Sequence, residues 1–225
     1  AEIDVIRQLG VEIRCGVEIG KDVTIEDLRE QGYKGFYAAI GCQRGRKPGI
    51  SGENAEGAYA AVDFLRKAGA KESFALEGDV VVIGGGAVGL DVMEFFTERG
   101  AEVSMVEMLP MIGNGLDPVT KCDTNAKMAK YHVKQMTNTA LQEVKNDRFI
   151  VKNPEGEIEE VPFDYGFICL GMRANTPVLS EIEEAFSDTN VEIVNIGDSK
   201  RARRIIEGTE EGRNILNVLA RHDYL

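Results

Sequence analysis

The chain has no tryptophan, two histidines and four cysteines, and nowhere does it run apolar for long. The cysteines stand at Cys15, Cys42, Cys122 and Cys169, never as a C-x-x-C or C-x-x-x-x-C pair. That spacing gives no support for a cysteine-held metal cluster, a zinc site or a redox-active dithiol. It does not make the disulfide framework of a secreted domain either, so a reducing, cytoplasmic setting is expected. No segment is apolar over the length that spans a bilayer. Positive charge is the scarcer sign: 26 Lys and Arg against 38 Asp and Glu leave a formal net charge of -12. Such a surface repels polyanions, so neither nucleic acid nor an anionic membrane is expected as a partner. The opening stretch does not read as a signal or transit peptide. The chain opens on "AEIDVIRQLG", with Ala1 where Met would stand, and Ile3, Ile6 and Leu9 already form a helical stripe without a cap before it. It reads as a chain entered in mid-fold, as if cut from a larger protein.

What is abundant is glycine, 25 in 225 residues, spaced as turns between alternating strand and helix patterns. The order predicts a helix over 1–9, a strand over 11–19 and a helix over 24–33 with Thr24 and Asp27 as a near capping box. A short buried strand "GFYAAIG", a glycine- and base-rich loop and a helix "AYAAVDFLRKAG" follow. "DVVVIGGG", a helix over 87–98 and the strand "EVSMVE" come next, then a looser stretch and a helix near 122–131. After that the pattern shortens to strands "HVKQMTNT", "ALQEVKND", "RFIVKN" and "EEVPFD", with "NPEGE" as a hairpin turn. "YGFICLG" and "EIVNIGD" are the last strands, and a helical segment closes the chain. Alternating strands and helices make this an α/β fold with parallel sheets and helices on both faces. One nearly closed unit runs over 51–187; residues 1–50 and 188–225 then form one discontinuous domain. The acidic run "EIEEAFSD" reads as a solvated surface.

Gly84, Gly86 and Gly89 form G-x-G-x-x-G. An apolar strand, Val80–Ile83, leads in; a helix with Val88, Val92 and Phe95 to bury leads out; a second strand ends on Glu107. This is the context in which the motif binds a dinucleotide. Gly84 permits the tight turn, Gly86 lets the backbone approach a pyrophosphate, and Gly89 lets helix and strand pack closely. The helix N-terminus aims free N–H groups and partial positive charge at the phosphates. Glu107 can hydrogen-bond ribose hydroxyls and would repel a 2′-phosphate. Met108, Leu109 and Pro110 follow it with no arginine, so NAD(H) is expected over NADP(H).

The segments "VVIGGGAVGLDVMEFFTERGAEVSMVEMLPMIG", "MTNTALQEV", "FICLGMRANT" and "VNIGDSKRARRIIEGTEEG" resemble the pyridine nucleotide-disulfide oxidoreductase superfamily, flavoproteins with two dinucleotide domains. Within it the chain is similar to the NADH:flavin oxidoreductases of the dienoyl-CoA reductase and enoate reductase type. Its N-terminal stretch looks like the glutamate synthase small subunit. The resemblance implies a Rossmann-like three-layer NAD-binding domain, 51–187, inserted in a partial FAD-binding domain made of 1–50 and 188–225. It matches Gly84, Gly86, Ala87, Val88, Gly89, Asp91, Glu107 and Gly171 to the NAD site. It matches Gly41, Gly197 and Asp198 to the FAD site, with Asp198 toward the ribityl chain and the following helix aimed at the flavin pyrimidine. The family's first glycine unit, for FAD, has no counterpart here. Asp91 stands where the family often has Glu, and the redox cysteine pair is absent, so disulfide reduction is not expected. Asn175 falls in a loop that lies near the flavin in the family. Read alone, Asp198 is equally an N-cap. Arg201, Arg203 and Arg204 read as a solvated helix face, and His132 and His222 as structural or surface residues.

The expected activity is that of part of an NADH-dependent flavin oxidoreductase, with hydride passing to FAD and electrons onward to another redox domain or subunit. No side chain is assigned acid or base work. Two other readings stay open: an NADPH-linked electron-input subunit of the glutamate synthase type, and a non-catalytic module for NAD binding or assembly.

Overall fold

In a computed structural model the described residues are 2–41, 45, 47–69, 78–172, 174 and 176–221. They fall into two compact units, Ala1–Ile40 and Gly41–Leu225.

The first unit holds two short helices, α1 (Glu2–Gln8) and α2 (Ile25–Glu30). The capping box forms: Thr24 Oγ1 accepts from the Asp27 N–H at 3.1 Å, and Asp27 Oδ2 accepts from the Thr24 N–H at 2.9 Å. The strands expected over 11–19 and 35–41 do not form; a single bridge, Ile19 to Val23, is all the pairing there. A strand exists by virtue of a partner's N–H and C=O groups, and no described residue offers these two segments a ladder. Their apolar side chains stay exposed, Tyr37 at 66% and Ile40 at 54%, together with Ile3, Ile6 and Leu9 of the helical stripe. The strand expected over 192–198 is likewise absent; a single 3-10 turn, Gly197–Ser199, stands there.

The second unit is built on a parallel sheet. Its strands are β1 (Ala58–Ala60), β2 (Asp79–Ile83), β3 (Glu102–Val106), β4 (Lys134–Met136) and β8 (Tyr165–Ile168), in the order β1-β8-β2-β3-β4. Every neighbouring pair is parallel. Helices α3 (Ala61–Gly69), α4 (Ala87–Thr97) and α5 (Pro118–Lys130) make the crossovers. Between β4 and β8 lies an antiparallel meander, β5 (Ala140–Val144), β6 (Arg148–Lys152) and β7 (Ile158–Pro162). Helices α6 (Thr176–Ala185) and α7 (Ile205–Arg221) follow β8. The helix expected from residue 58 yields its first three residues to β1, the edge strand. Among the described residues no helix is long and apolar enough to cross a membrane.

The period of two in β2 explains the layering. Val80 and Val82 face one core with Phe64, Val92, Phe96, Met105 and Met128, supplied by helices and sheet. Val81 and Ile83 face the other, with Val144, Phe149, Val151, Val161 and Phe163 of the meander and its flanks. So the sheet carries helices on one face and a second sheet on the other. This corrects the expectation of helices on both faces: β5 to β7 bury an apolar face of their own, and the parallel sheet is what it packs on. On the helix side Phe64, Phe96 and Phe167 cluster with centroids 4.8 to 5.3 Å apart, Phe64 stacked on Phe96 and Phe167 tilted against both. Burial of each ring is worth roughly 1.5–3 kcal/mol.

Gly166 in β8 lets the meander close on the sheet, since a Cβ there would stand 2.7 Å from Phe149 Cζ and from Phe163 Cζ. By contrast a Cβ at Gly212 in α7 meets nothing within 4 Å. Gly166→Ala is therefore expected to cost about 1–3 kcal/mol through overpacking, and Gly212→Ala to add up to about 1 kcal/mol of helix propensity. Urea denaturation midpoints of the two variants check both signs.

Candidate dinucleotide-binding site

The C-terminal edge of a parallel sheet is where crossover loops gather, and here it collects most of the expected site residues. β2 ends at Ile83, and the Gly84 N–H carries the ladder one step further by donating to Val106 O at 2.7 Å. Gly84 then turns with φ +102°, and a Cβ on it would lie 2.4 Å from the Cys169 carbonyl oxygen. Gly89, in the first turn of α4, packs against that turn so closely that a Cβ would lie 1.9 Å from Gly84 O. Both glycines are required by the protein's own packing. Gly86 is not: its backbone is extended (φ -80°, ψ -177°), and a Cβ on it meets nothing within 4 Å. It faces open space at the N-cap of α4.

That helix start has no side-chain cap, whereas α2 is capped by Thr24 and α5 by Asp117. Gly86, Ala87 and Val88 thus bring the helix's uncapped N–H groups and its positive dipole end to the surface. Ala87 is exposed, while Val88 packs on the core. Asp91, one turn further, has its carboxyl above the ordinary range because neighbouring atoms strip it of water, with the Glu94 charge adding to the effect.

Glu107 closes the edge at the end of β3. It is 9% exposed, its Oε2 accepts from the Gly85 N–H at 2.6 Å, and its Oε1 accepts from the Leu109 N–H at 2.9 Å. The expected ribose-facing carboxylate is therefore bonded to backbone on both oxygens, with part of its acceptor capacity left over. Beside it Met108, Leu109 and Met111 are exposed and apolar. β8 pairs Ile168 with Ile83, which brings Cys169 and Gly171 to the same edge. Gly171 is exposed with φ +80°. Gly45, before β1, bridges antiparallel to Met172, after β8.

Gly41, Gly197 and Asp198 lie elsewhere in the chain's course. Gly41 is exposed at φ +61° in a stretch that forms no strand. The Gly197 N–H donates to Glu211 Oε2 at 2.6 Å, and Asp198 Oδ1 accepts from the Arg203 N–H at 3.1 Å. Asp198 thus serves its own loop, and α7 starts only at Ile205. Arg203 pairs with Glu211 at 2.5 Å and Arg204 with Glu207 at 2.6 Å, which absorbs two charges of the basic cluster. His132 holds a left-handed turn, φ 53°, behind α5. Asn175, His222 and Cys42 lie outside the described residues.

Two residues of the edge were not singled out from sequence. Gly85 accepts from the Gly113 N–H at 2.7 Å and leaves only 3.0 Å between an added Cβ and Ile112. The middle glycine of "GGG" was the available signal. Cys169 is buried against the turn, and burial pushes its thiol far up, helped by the Asp91 charge. No pattern in the sequence pointed to it.

The family described as "Pyridine nucleotide-disulphide oxidoreductase" matches residues 4–195. The chain is 26% identical over 200 residues to "NADH oxidase" of Thermoanaerobacter brockii, covering 88% of this chain and 30% of that protein. It is 29% identical over 110 residues to "Glutamate synthase [NADPH] small chain" of Escherichia coli, covering 44% and 23%. Among solved structures, a 2-naphthoyl-CoA reductase complex superposes with a TM-score of 0.78 at 22% identity, over 93% of this chain and 30% of that one. The last of these shows a shared fold. The chain spans less than a third of the length of each of these proteins.

The thiols give a direct check on this edge. Cys15 and Cys122 are exposed, and Cys169 is buried and held protonated. Iodoacetamide at mildly alkaline pH is expected to alkylate Cys169 on the order of a hundredfold more slowly than the other two, and at a comparable rate once the chain is unfolded. Peptide mass spectrometry over a time course reads all three.

Proposed function

The chain belongs to the pyridine nucleotide-disulphide oxidoreductase family, and we propose that it is the NADH-binding part of a flavin-dependent oxidoreductase. The observation that carries this is Gly86. Gly84 and Gly89 are explained by contacts inside the protein; the glycine at 86 has no such contact, and a pyrophosphate approaching the uncapped helix start would account for it.

The residues present fit NADH. The N–H groups of Gly86, Ala87 and Val88 would hold its pyrophosphate, Glu107 would take the adenosine ribose through its remaining acceptor positions, and the Gly171 segment would border the nicotinamide end, with Asp91 behind it. NADH supplies a hydride when bound. The chain's own work is to hold and orient it, so no residue is assigned acid or base chemistry. Glu107 and the apolar Met108–Leu109–Pro110 stretch favour NADH over NADPH, against the cofactor in the name of the Escherichia coli relative.

For FAD the fit is partial. Gly41, Gly197 and Asp198 would border a flavin, yet the one G-x-G-x-x-G in the sequence is the one already used, and Asp198 Oδ1 also accepts from the Arg203 N–H. We place the flavin's pyrophosphate on a further segment, which 1–50 and 188–225 would join to complete an FAD domain around the NAD domain of 51–187. Electrons would then leave for a further redox domain or subunit. The free thiols Cys15, Cys122 and Cys169 fit a reducing, cytoplasmic setting.

Calorimetric titration tests the assignment. NADH is expected to bind at least about tenfold more tightly than NADPH, since a 2′-phosphate would sit against a buried carboxylate with no arginine to receive it. Equal or reversed affinities would overturn the NADH assignment. The purified chain is also expected to carry well under one flavin per molecule by visible absorbance; a full, tightly held equivalent would show that the FAD site is complete in these residues.

A further inference from the structure

Glu107 makes bonds that a mere ribose ligand has no need of. Its carboxylate joins Gly85, in the turn after β2, to Leu109, in the loop after β3, through a buried bond of 2.6 Å and a part-buried one of 2.9 Å. Around it the same pieces are stitched by backbone. The Gly113 N–H donates to Gly85 O, the Asn138 N–H to Leu109 O, the Glu107 N–H to Met136 O, and the Thr139 N–H to Glu107 O. Gly85 is held between Ile112 and the carboxylate, with a hypothetical Cβ 3.0 Å from the one and 3.2 Å from the other.

We propose that Glu107 is a positioning residue: its carboxylate braces the glycine turn against the loop after β3 and so sets the geometry of the α4 N-terminus before any nucleotide arrives. A buried charge survives only with strong donors, and the two backbone N–H groups supply them, with the nearby helix start adding favourable potential. A carboxylate has about four acceptor positions. One on each oxygen is spent on the brace, which leaves one on each for ribose hydroxyls, so the two duties do not compete. Removing the carboxylate would orphan the Gly85 N–H in a buried place and loosen the Gly85 side of the turn that presents Gly86. The nucleotide consequence rests on the NADH reading above; the brace itself does not.

The test uses Glu107→Gln and Glu107→Ala in the full chain. Hydrogen exchange at the Gly85 and Leu109 amides, read by NMR without nucleotide, is expected to quicken by on the order of tenfold or more at both sites in Glu107→Ala. In Glu107→Gln, whose amide has one acceptor oxygen, one of the two amides is expected to stay protected. The second readout is titration with NADH and with its 2′,3′-dideoxyadenosine analogue, which has no hydroxyls for Glu107 to hold. A brace predicts that Glu107→Ala weakens the analogue by about tenfold or more, with Glu107→Gln in between. The parent's preference for NADH over the analogue should also vanish in Glu107→Ala, which a purely structural residue would leave in place. Unchanged exchange at Gly85 and Leu109, or analogue binding that is the same in parent and variants, overturns the proposal. If the parent chain binds neither ligand, the NADH reading fails, and the exchange rates still decide the brace.

Discussion

Everything at the site depends on one close approach, the backbone of α4 against the backbone of the turn that feeds it. A Cβ on Gly89 would come within 1.9 Å of the Gly84 carbonyl oxygen, far inside any permitted contact. Because neither residue has a side chain, the helix starts directly over the end of β2. Its unpaired N–H groups emerge at the sheet's edge and not beside it. Gly84 meets a second limit of the same kind, the Cys169 carbonyl oxygen, which ties the turn to β8 as well as to β3. The turn is therefore fixed from three sides, and the face it presents at Gly86 is free.

The two cores support that edge from opposite directions. The alternation in β2 sends Val80 and Val82 into the helix-side core and Val81 and Ile83 into the core shared with the meander. A strand clamped on both faces does not shift register, because a slip by one residue would exchange the two sets. The position of Gly84 relative to Glu107, at the ends of adjacent strands paired Ile83 to Val106, follows from that clamp. So does the reach of the Glu107 carboxylate to Gly85.

The β2–α4–β3 unit was legible in the sequence because its signals are local: an apolar run, a glycine spacing and a helical stripe within about 30 residues. The meander's strands were legible too, as short strand patterns between turn signals. What each packed on was not, since an apolar face does not name its partner, and the second sheet took the place expected of helices. The strands expected over 11–19, 35–41 and 192–198 failed for a related reason. Pattern gives propensity, and a ladder needs a neighbour. At the site the glycine spacing was legible, but its division into two positions that packing demands and one that it does not is a property of the folded chain. Glu107 was named for the ribose; its backbone partners are amides brought near by folding and leave no mark in the sequence. Asp198 was balanced between cap and ligand, and the Arg203 N–H now shows it bonded within its own loop.

The central claim is that a nucleotide's pyrophosphate approaches Gly86, and Gly86→Val tests it most directly. An extended backbone accepts valine, and the Cβ position is open, so circular dichroism and the thermal midpoint should stay near those of the parent. The side chain would occupy the phosphate's approach and block charge-assisted bonds worth roughly 1.5–3 kcal/mol each. Losing two of them should weaken NADH binding by about a hundredfold or more in a fluorescence titration. A folded variant that binds NADH with the parent's affinity would contradict the account, because the dinucleotide could not then be seated on this turn.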